Sequence, residues 1–173
     1  MLFVLTGPES TGKSALTMAL AGHFSAPYIG EVARTYISPG HAYEPSELLN
    51  IAEQQQSAEA TTSGALAFAD TDLQVLYIWW QERFGPVPRK LADAFAQQGP
   101  RHYLLCMPDL VWEPDPLREN PHDRDRLLQL YEADLRSRGL AFSRIQGVGE
   151  ARVSDAIKAV NRVLESRLEP GFF

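Results

Sequence analysis

The stretch GPESTGKS, Gly7–Ser14, follows the apolar run LFVLT and opens a segment in which Ala15, Leu16, Ala19, Leu20 and Phe24 share one helical face. It satisfies the pattern G-x-x-x-x-G-K-[ST] at every fixed position, and it stands between a predicted strand and a predicted helix, as that pattern requires. Such a turn wraps an anion. Gly7 and Gly12 let the backbone curl so that successive N–H groups point inward, and the following helix directs its positive dipole end at the same point. Lys13 is then placed to neutralise a transferring phosphate, and Ser14 to offer its hydroxyl to Mg2+ bridging two phosphates. The expected nucleotide contacts are Gly7, Glu9, Ser10, Thr11, Gly12, Lys13, Ser14 and Ala15, with ATP and Mg2+ as the expected cofactors.

Beyond this loop, short apolar runs alternate with longer stretches of helical spacing, the pattern of parallel strands joined by crossover helices. Strands are expected at 2–6, 26–34, 65–70, 102–108 and 141–146, and helices at 14–24, 45–64, 71–85, 87–99, 124–139 and 150–168. Pro45 marks a helix start, and Gly64, Gly85 and Gly99 mark helix ends. The segment DLVWEPDPLRENPHD is rich in proline and charge and reads as a loop. The expectation is an α/β fold, a five-stranded parallel sheet with helices on both faces and a lid segment at about 110–126. At 173 residues and 45% hydrophobic content, the chain suits one core, so residues 1–173 are expected to form a single domain.

Ligands of an open parallel sheet bind beyond the carboxyl ends of its strands, which gives weight to the polar residues found there. Strand two ends in Glu31, with Arg34 following; strand three ends in Asp70 and Asp72; strand four leads to Asp109. The run ALAFAD, apolar residues leading to an acid, is similar to a Walker B strand, although Asp and Thr at this place also serve as helix caps. Asp109, Trp112, Asp115 and Arg118 recur every third residue. Exposed arginines on a loop beside a phosphate site suit a cover that excludes water and supplies positive charge, and Arg118 is the candidate for that role. Trp79, Trp80 and Trp112 offer flat faces for a ring. Adjacent Trp79 and Trp80 cannot share a helical face, so at least one belongs to the core.

Several function classes are disfavoured. The net charge of -6 opposes a polyanion, and Lys and Arg are scattered, so no nucleic-acid partner is expected. The start has no basic leader and no segment reaches the roughly 18 apolar residues of a membrane span, which sets the expectation of a cytoplasmic protein. Cys106 lies in an apolar run and reads as a buried, inert thiol. His23, His41, His102 and His122 have no metal-ligand spacing.

Taken in order, GPESTGKS, GEVAR, NIAEQQ, DTD ahead of YIWWQERFG, and DLVWEPDPLR resemble the ribosylnicotinamide kinase domain of NadR-type proteins over about residues 1–160. The Glu of GPES, Glu9, and the Asp-x-x-Trp-x-x-Asp-x-x-Arg segment are the most specific marks. The resemblance implies a P-loop NTPase three-layer fold and a nucleoside-type kinase. It further implies transfer of the terminal phosphate of ATP to the 5'-hydroxyl of nicotinamide riboside, a step of NAD salvage. It carries Lys13, Ser14 and Asp70 to ATP and the metal, Asp72 to metal or sugar, and Glu31 to the acceptor proton. Asp109 and Trp112 would hold sugar and ring, Arg34 would touch the substrate, and Arg118 would act from the lid. IQGVGEARVSDAI resembles the loop beside adenine, with Gly147, Glu150 and Arg152 as contacts. Full NadR-type regulators also carry an adenylyltransferase domain and a DNA-binding segment ahead of the kinase, roles not expected of this chain. Pro116 stands where the family often has Gly, implying a stiffer lid or a different acceptor. Two other readings stay open: a kinase of another nucleoside or small hydroxyl compound, and an ATP-dependent switch that orders its lid for a protein partner.

Overall fold

The computed structural model describes residues 1–37, 43–115, 118 and 122–168. Its strands are β1 (Leu2–Thr6), β2 (Tyr28–Ile29), β3 (Ala67–Asp70), β4 (Arg101–Cys106) and β5 (Phe142–Ile145). Every neighbouring pair is parallel, in the order β2-β3-β1-β4-β5. The central strands are apolar on both faces because helices cover both. On one face Phe3 and Leu5 pack with Leu16 and Leu20 of α1 (Lys13–Phe24) and with Ala156 and Val160 of α7 (Gly149–Leu168). On the other, Val4 joins Leu48 of α3 (Pro45–Thr61), Leu76 of α4 (Leu73–Phe84), Leu91 of α5 (Arg89–Ala96) and Leu135 of α6 (Arg124–Ser137). Strand β4 alternates in the same sense, with Leu104 and Cys106 toward the first cluster and Tyr103 and Leu105 toward the second.

The chain runs outward from β1 to the edge strand β2, returns to β3 beside β1, and then crosses to β4 and β5. That reversal opens a crevice beyond the carboxyl end of β1, where ligands of such sheets bind. The loop that follows β1 is fitted tightly into it. A Cβ on Gly7, whose φ is +122°, would lie 2.8 Å from the Cys106 carbonyl oxygen, so only glycine lets the loop pass this close to β4.

Several elements are shorter than their sequence pattern, β2 and α3 among them. Strand β2 stops at Ile29, and the Val32 N–H beyond it donates to the Gln55 side chain at 3.1 Å rather than to a ladder. A short helix, α2 (Ala33–Tyr36), follows. Helix α3 ends at Thr61 and not at Gly64, since the Thr61 and Thr62 hydroxyls donate to the Ser57 and Ala58 carbonyls and close the last turn. Among the described residues no helix is long and apolar enough to cross a membrane. His41, Pro116 and part of the expected lid, 116–117 and 119–121, lie outside the described residues.

Candidate active site

A cavity of about 490 Å³ opens at the crevice, and one wall of it is the continuous stretch Gly7–Ala15. Gly12, φ +73°, precedes α1 and its Leu16 N–H donates back to the Gly12 carbonyl, so the first free N–H groups of the helix face the loop. The Lys13 ammonium folds onto its own loop, donating to the Gly7 carbonyl at 2.9 Å and the Pro8 carbonyl at 2.7 Å. Burial pulls its pKa below the ordinary lysine value, against the upward pull of Glu31 and Asp70. Ser10, in a left-handed conformation at φ 54°, joins this loop to the segment after β4. Its hydroxyl accepts from Glu113 N–H at 3.0 Å and from Arg118 at 3.3 Å, and its carbonyl accepts from Arg124 at 3.2 Å.

Asp70 ends β3 opposite Leu5 and is 1% exposed, yet neither carboxylate oxygen has a hydrogen-bond partner among the described residues. An orphaned buried carboxylate is costly unless something else satisfies it. The two unpartnered Asp70 oxygens and the Ser14 hydroxyl are oxygen ligands of the kind Mg2+ takes, and the Lys13 ammonium beside an anion-wrapping loop suits nucleotide phosphates, although Asp70 itself is not part of the cavity lining. Glu31 lines the same cavity as Lys13 and is held by Arg34 Nε at 2.7 Å. Burial pushes the Glu31 carboxyl up, the neighbouring Asp70 charge adds to that, and Lys13 and Arg34 oppose it.

The rest of the cavity lining is assembled from separate elements. Val75, Ile78, Trp79 and Glu82 of α4 line it, with Leu127 and Tyr131 of α6, and Arg34, Glu113 and Arg118 complete the wall. Trp79 therefore faces the cavity, while Trp80 is 7% exposed in the core with its indole N–H on the Pro86 carbonyl. The stripe at 75, 78, 79 and 82 has helical spacing, a signal visible in the sequence but indistinguishable there from core packing. Tyr131 carries no such signal in the sequence, and its placement depends on α4 and α6 meeting across the site.

The expected site residues Asp70, already described, and Asp72, Asp109, Trp112 and Arg152 lie outside the lining of this cavity. Asp72 is fully buried and saturated: it accepts from Gln74 N–H at 2.9 Å as the cap of α4, from Tyr103 hydroxyl at 2.7 Å and from Arg101 at 2.9 Å. A sugar contact at Asp72 is replaced by a cap and a buried ion pair. Asp109 does not line the cavity; its carboxylate accepts from Gly147 N–H at 2.7 Å and so braces the loop before α7. Trp112 also stands outside the lining, with its indole N–H donating to Glu9 at 3.1 Å, which ties the β4–α6 segment to the phosphate loop. Arg152 is 4% exposed and donates to the carbonyls of Gly147, Thr11 and Met107, a scaffold role in place of a free adenine contact. Glu150, Arg152 and Val153 all line a separate, apolar groove that reaches the phosphate loop at Gly12 and Ala15.

Residues 2–152 match the family described as "AAA domain". The chain belongs to the AAA domain family. No curated protein matches it. Among solved structures, this AAA domain chain is similar to the NadR protein in complex with NR, at TM-score 0.76 and 19% identity, covering 99% of this chain and 54% of that one. The chain thus spans about half the length of the NadR protein. It is also similar to thymidylate kinase from Ehrlichia chaffeensis, at TM-score 0.62 and 12% identity over 95% of this chain and 98% of that one. A third likeness is to shikimate kinase from Acinetobacter baumannii in complex with shikimate, at 0.57 and 18% over 97% and 95%. At these identities the likeness shows a shared fold, that of the P-loop kinases.

Proposed function

We propose that this AAA domain chain is an ATP-dependent kinase of a small hydroxyl compound, with the 5'-hydroxyl of nicotinamide riboside as acceptor and nicotinamide mononucleotide as product. In this reading residues 1–173 form one kinase domain working in the cytoplasm. The observation that carries it is Glu31, a largely buried carboxylate that lines the same cavity as the Lys13 loop, with burial raising it above the ordinary glutamate value. The fold likeness to a NadR protein bound to NR, and to another bound to NAD and AMP-PNP, supports the choice of acceptor and donor.

The chain's own residues divide the work. Lys13 leaves its loop carbonyls to meet the terminal phosphate, and Arg118, already on the cavity wall, adds positive charge from the β4–α6 segment. Ser14 and Asp70 would hold Mg2+, which when bound neutralises charge on the phosphate oxygens. Glu31 accepts the proton of the acceptor hydroxyl as that oxygen bonds to phosphorus, and the bond from phosphorus to the ADP oxygen breaks. Trp79, which lines the cavity, offers its ring to a flat group on the acceptor.

The test is incubation with Mg2+-ATP and a panel of nicotinamide, purine and pyrimidine ribosides, with ADP and phosphorylated product followed together. Equal amounts of ADP and nicotinamide mononucleotide are expected. Another phosphorylated riboside would keep the mechanism and replace the acceptor. Saturable ATP binding with no phosphorylated product would sink the kinase reading in favour of a nucleotide-driven switch.

A further inference from the structure

Glu31 sits on a turn just after a strand of two residues at the sheet edge, so the backbone gives its side chain little direction. What orients the carboxylate is Arg34, whose Nε donates to Glu31 at 2.7 Å. Arg34 is itself held from the other side. Its NH1 donates to Asp115 Oδ2 at 2.9 Å, and Asp115 belongs to the segment between β4 and α6, far along the chain from both. A guanidinium is a rigid planar fork, so fixing both of its edges fixes its plane. Neither carboxylate is a freely solvated surface group: the side chains of Glu31 and Asp115 are 15% and 20% exposed.

We infer that Asp115 is a positioning residue for Glu31, acting through Arg34. Arg118 extends the link, standing 3.9 Å from the same Asp115 oxygen while its NH1 donates to the Ser10 hydroxyl of the phosphate loop. A chain of contacts therefore runs Ser10, Arg118, Asp115, Arg34, Glu31, from the phosphate loop to the carboxylate after β2. The alignment of the carboxylate that takes the proton is thereby tied to the same segment that supplies positive charge to the phosphate. Without Asp115 the Arg34 fork keeps one partner and turns about it, and Glu31 turns with it.

The inference rests on the reading of Glu31 as the group that accepts the acceptor proton. Its test is steady-state kinetics of Asp115→Asn, Arg34→Gln and the double variant, with Asp115→Glu as the conservative control. Asp115→Asn should lower kcat about tenfold, as small misalignments near a reacting atom do, while KM for ATP and for acceptor stay within about twofold. Adding Asp115→Asn to Arg34→Gln should cost nothing further, and Asp115→Glu should recover most of the loss. Wild-type kcat in Asp115→Asn, losses that multiply in the double variant, or a loss confined to KM would each overturn the inference while leaving the kinase reading intact. A wild-type protein that transfers phosphate to no hydroxyl compound would instead overturn the reading of Glu31, and this inference with it.

Discussion

One part of the cavity lining is nine consecutive residues, Gly7–Ala15; the rest comes from Glu31, Arg34, one face of α4, two residues of α6 and the segment after β4. The first part is shaped by local backbone rules, chiefly positive φ at Gly7, Ser10 and Gly12 and the start of one helix. The second exists only once four or five separate elements have packed. A contiguous wall concentrates its chemistry in a few irreplaceable groups, whereas an assembled wall spreads it over contacts that individually tune affinity, alignment or stability.

The contrast predicts a graded series of effects. Lys13→Ala should show the largest, a fall in kcat of about 10³-fold or more in a coupled ADP assay, because no other group on that wall carries the same charge. Glu31→Gln comes next, with turnover reduced by about 10² to 10⁴. The wild-type profile of kcat/KM should lose activity on the acid side, at a pH above the ordinary glutamate value of 4.5, since the base must be ionised and burial raises its pKa. Glu31→Gln should lack that limb, and an unchanged limb would remove the assignment. Asp72→Asn should destabilise the fold by about 3 kcal/mol in urea unfolding, since it leaves the buried Arg101 short of a partner. The folded fraction should keep its wild-type KM values; a raised acceptor KM would return Asp72 to the site. Trp79→Ala should raise acceptor KM about tenfold and leave ATP KM alone. A change in ATP KM instead would erase the distinction between the two parts of the lining.

The smallest expected effect concerns the scaffold. Glu59 pairs with Arg101 at 2.9 Å, yet burial outweighs the pair and pushes its carboxyl up to about 7. The folded protein then holds that proton more tightly than the unfolded chain. The resulting stability is full below about 4.5 and is lost as pH rises to 7. Melting temperature should decline across this window, and Glu59→Gln should flatten the decline.

The same contrast explains which parts of the molecule are legible in its amino-acid sequence. The phosphate loop, the parallel α/β order and the acids at the strand ends are visible because each is written in neighbouring residues. Asp70 and Asp72 look alike in DTD, and only the fold separates them: one carboxylate is buried without a partner among the described residues, while Arg101, Tyr103 and the α4 cap absorb the other. Arg101 carries no local signal, because its partner arrives from across the sheet. Trp79 and Trp80 are distinguishable as a pair but not individually, since which face of α4 meets the cavity depends on where α6 packs. Asp109 and Arg152 stand out as polar groups near the phosphate loop and its expected partners, and both hold loops rather than face the cavity.

Arg152 reaches the carbonyls of Thr11, Met107 and Gly147 with one guanidinium, and so joins the phosphate loop, the end of β4 and the turn before α7 at a single rivet. Three loops that meet in one buried cation cannot open one at a time without stranding it. They form one cooperative unit, and amide hydrogens in all three should exchange with solvent through a shared opening rather than at three independent rates.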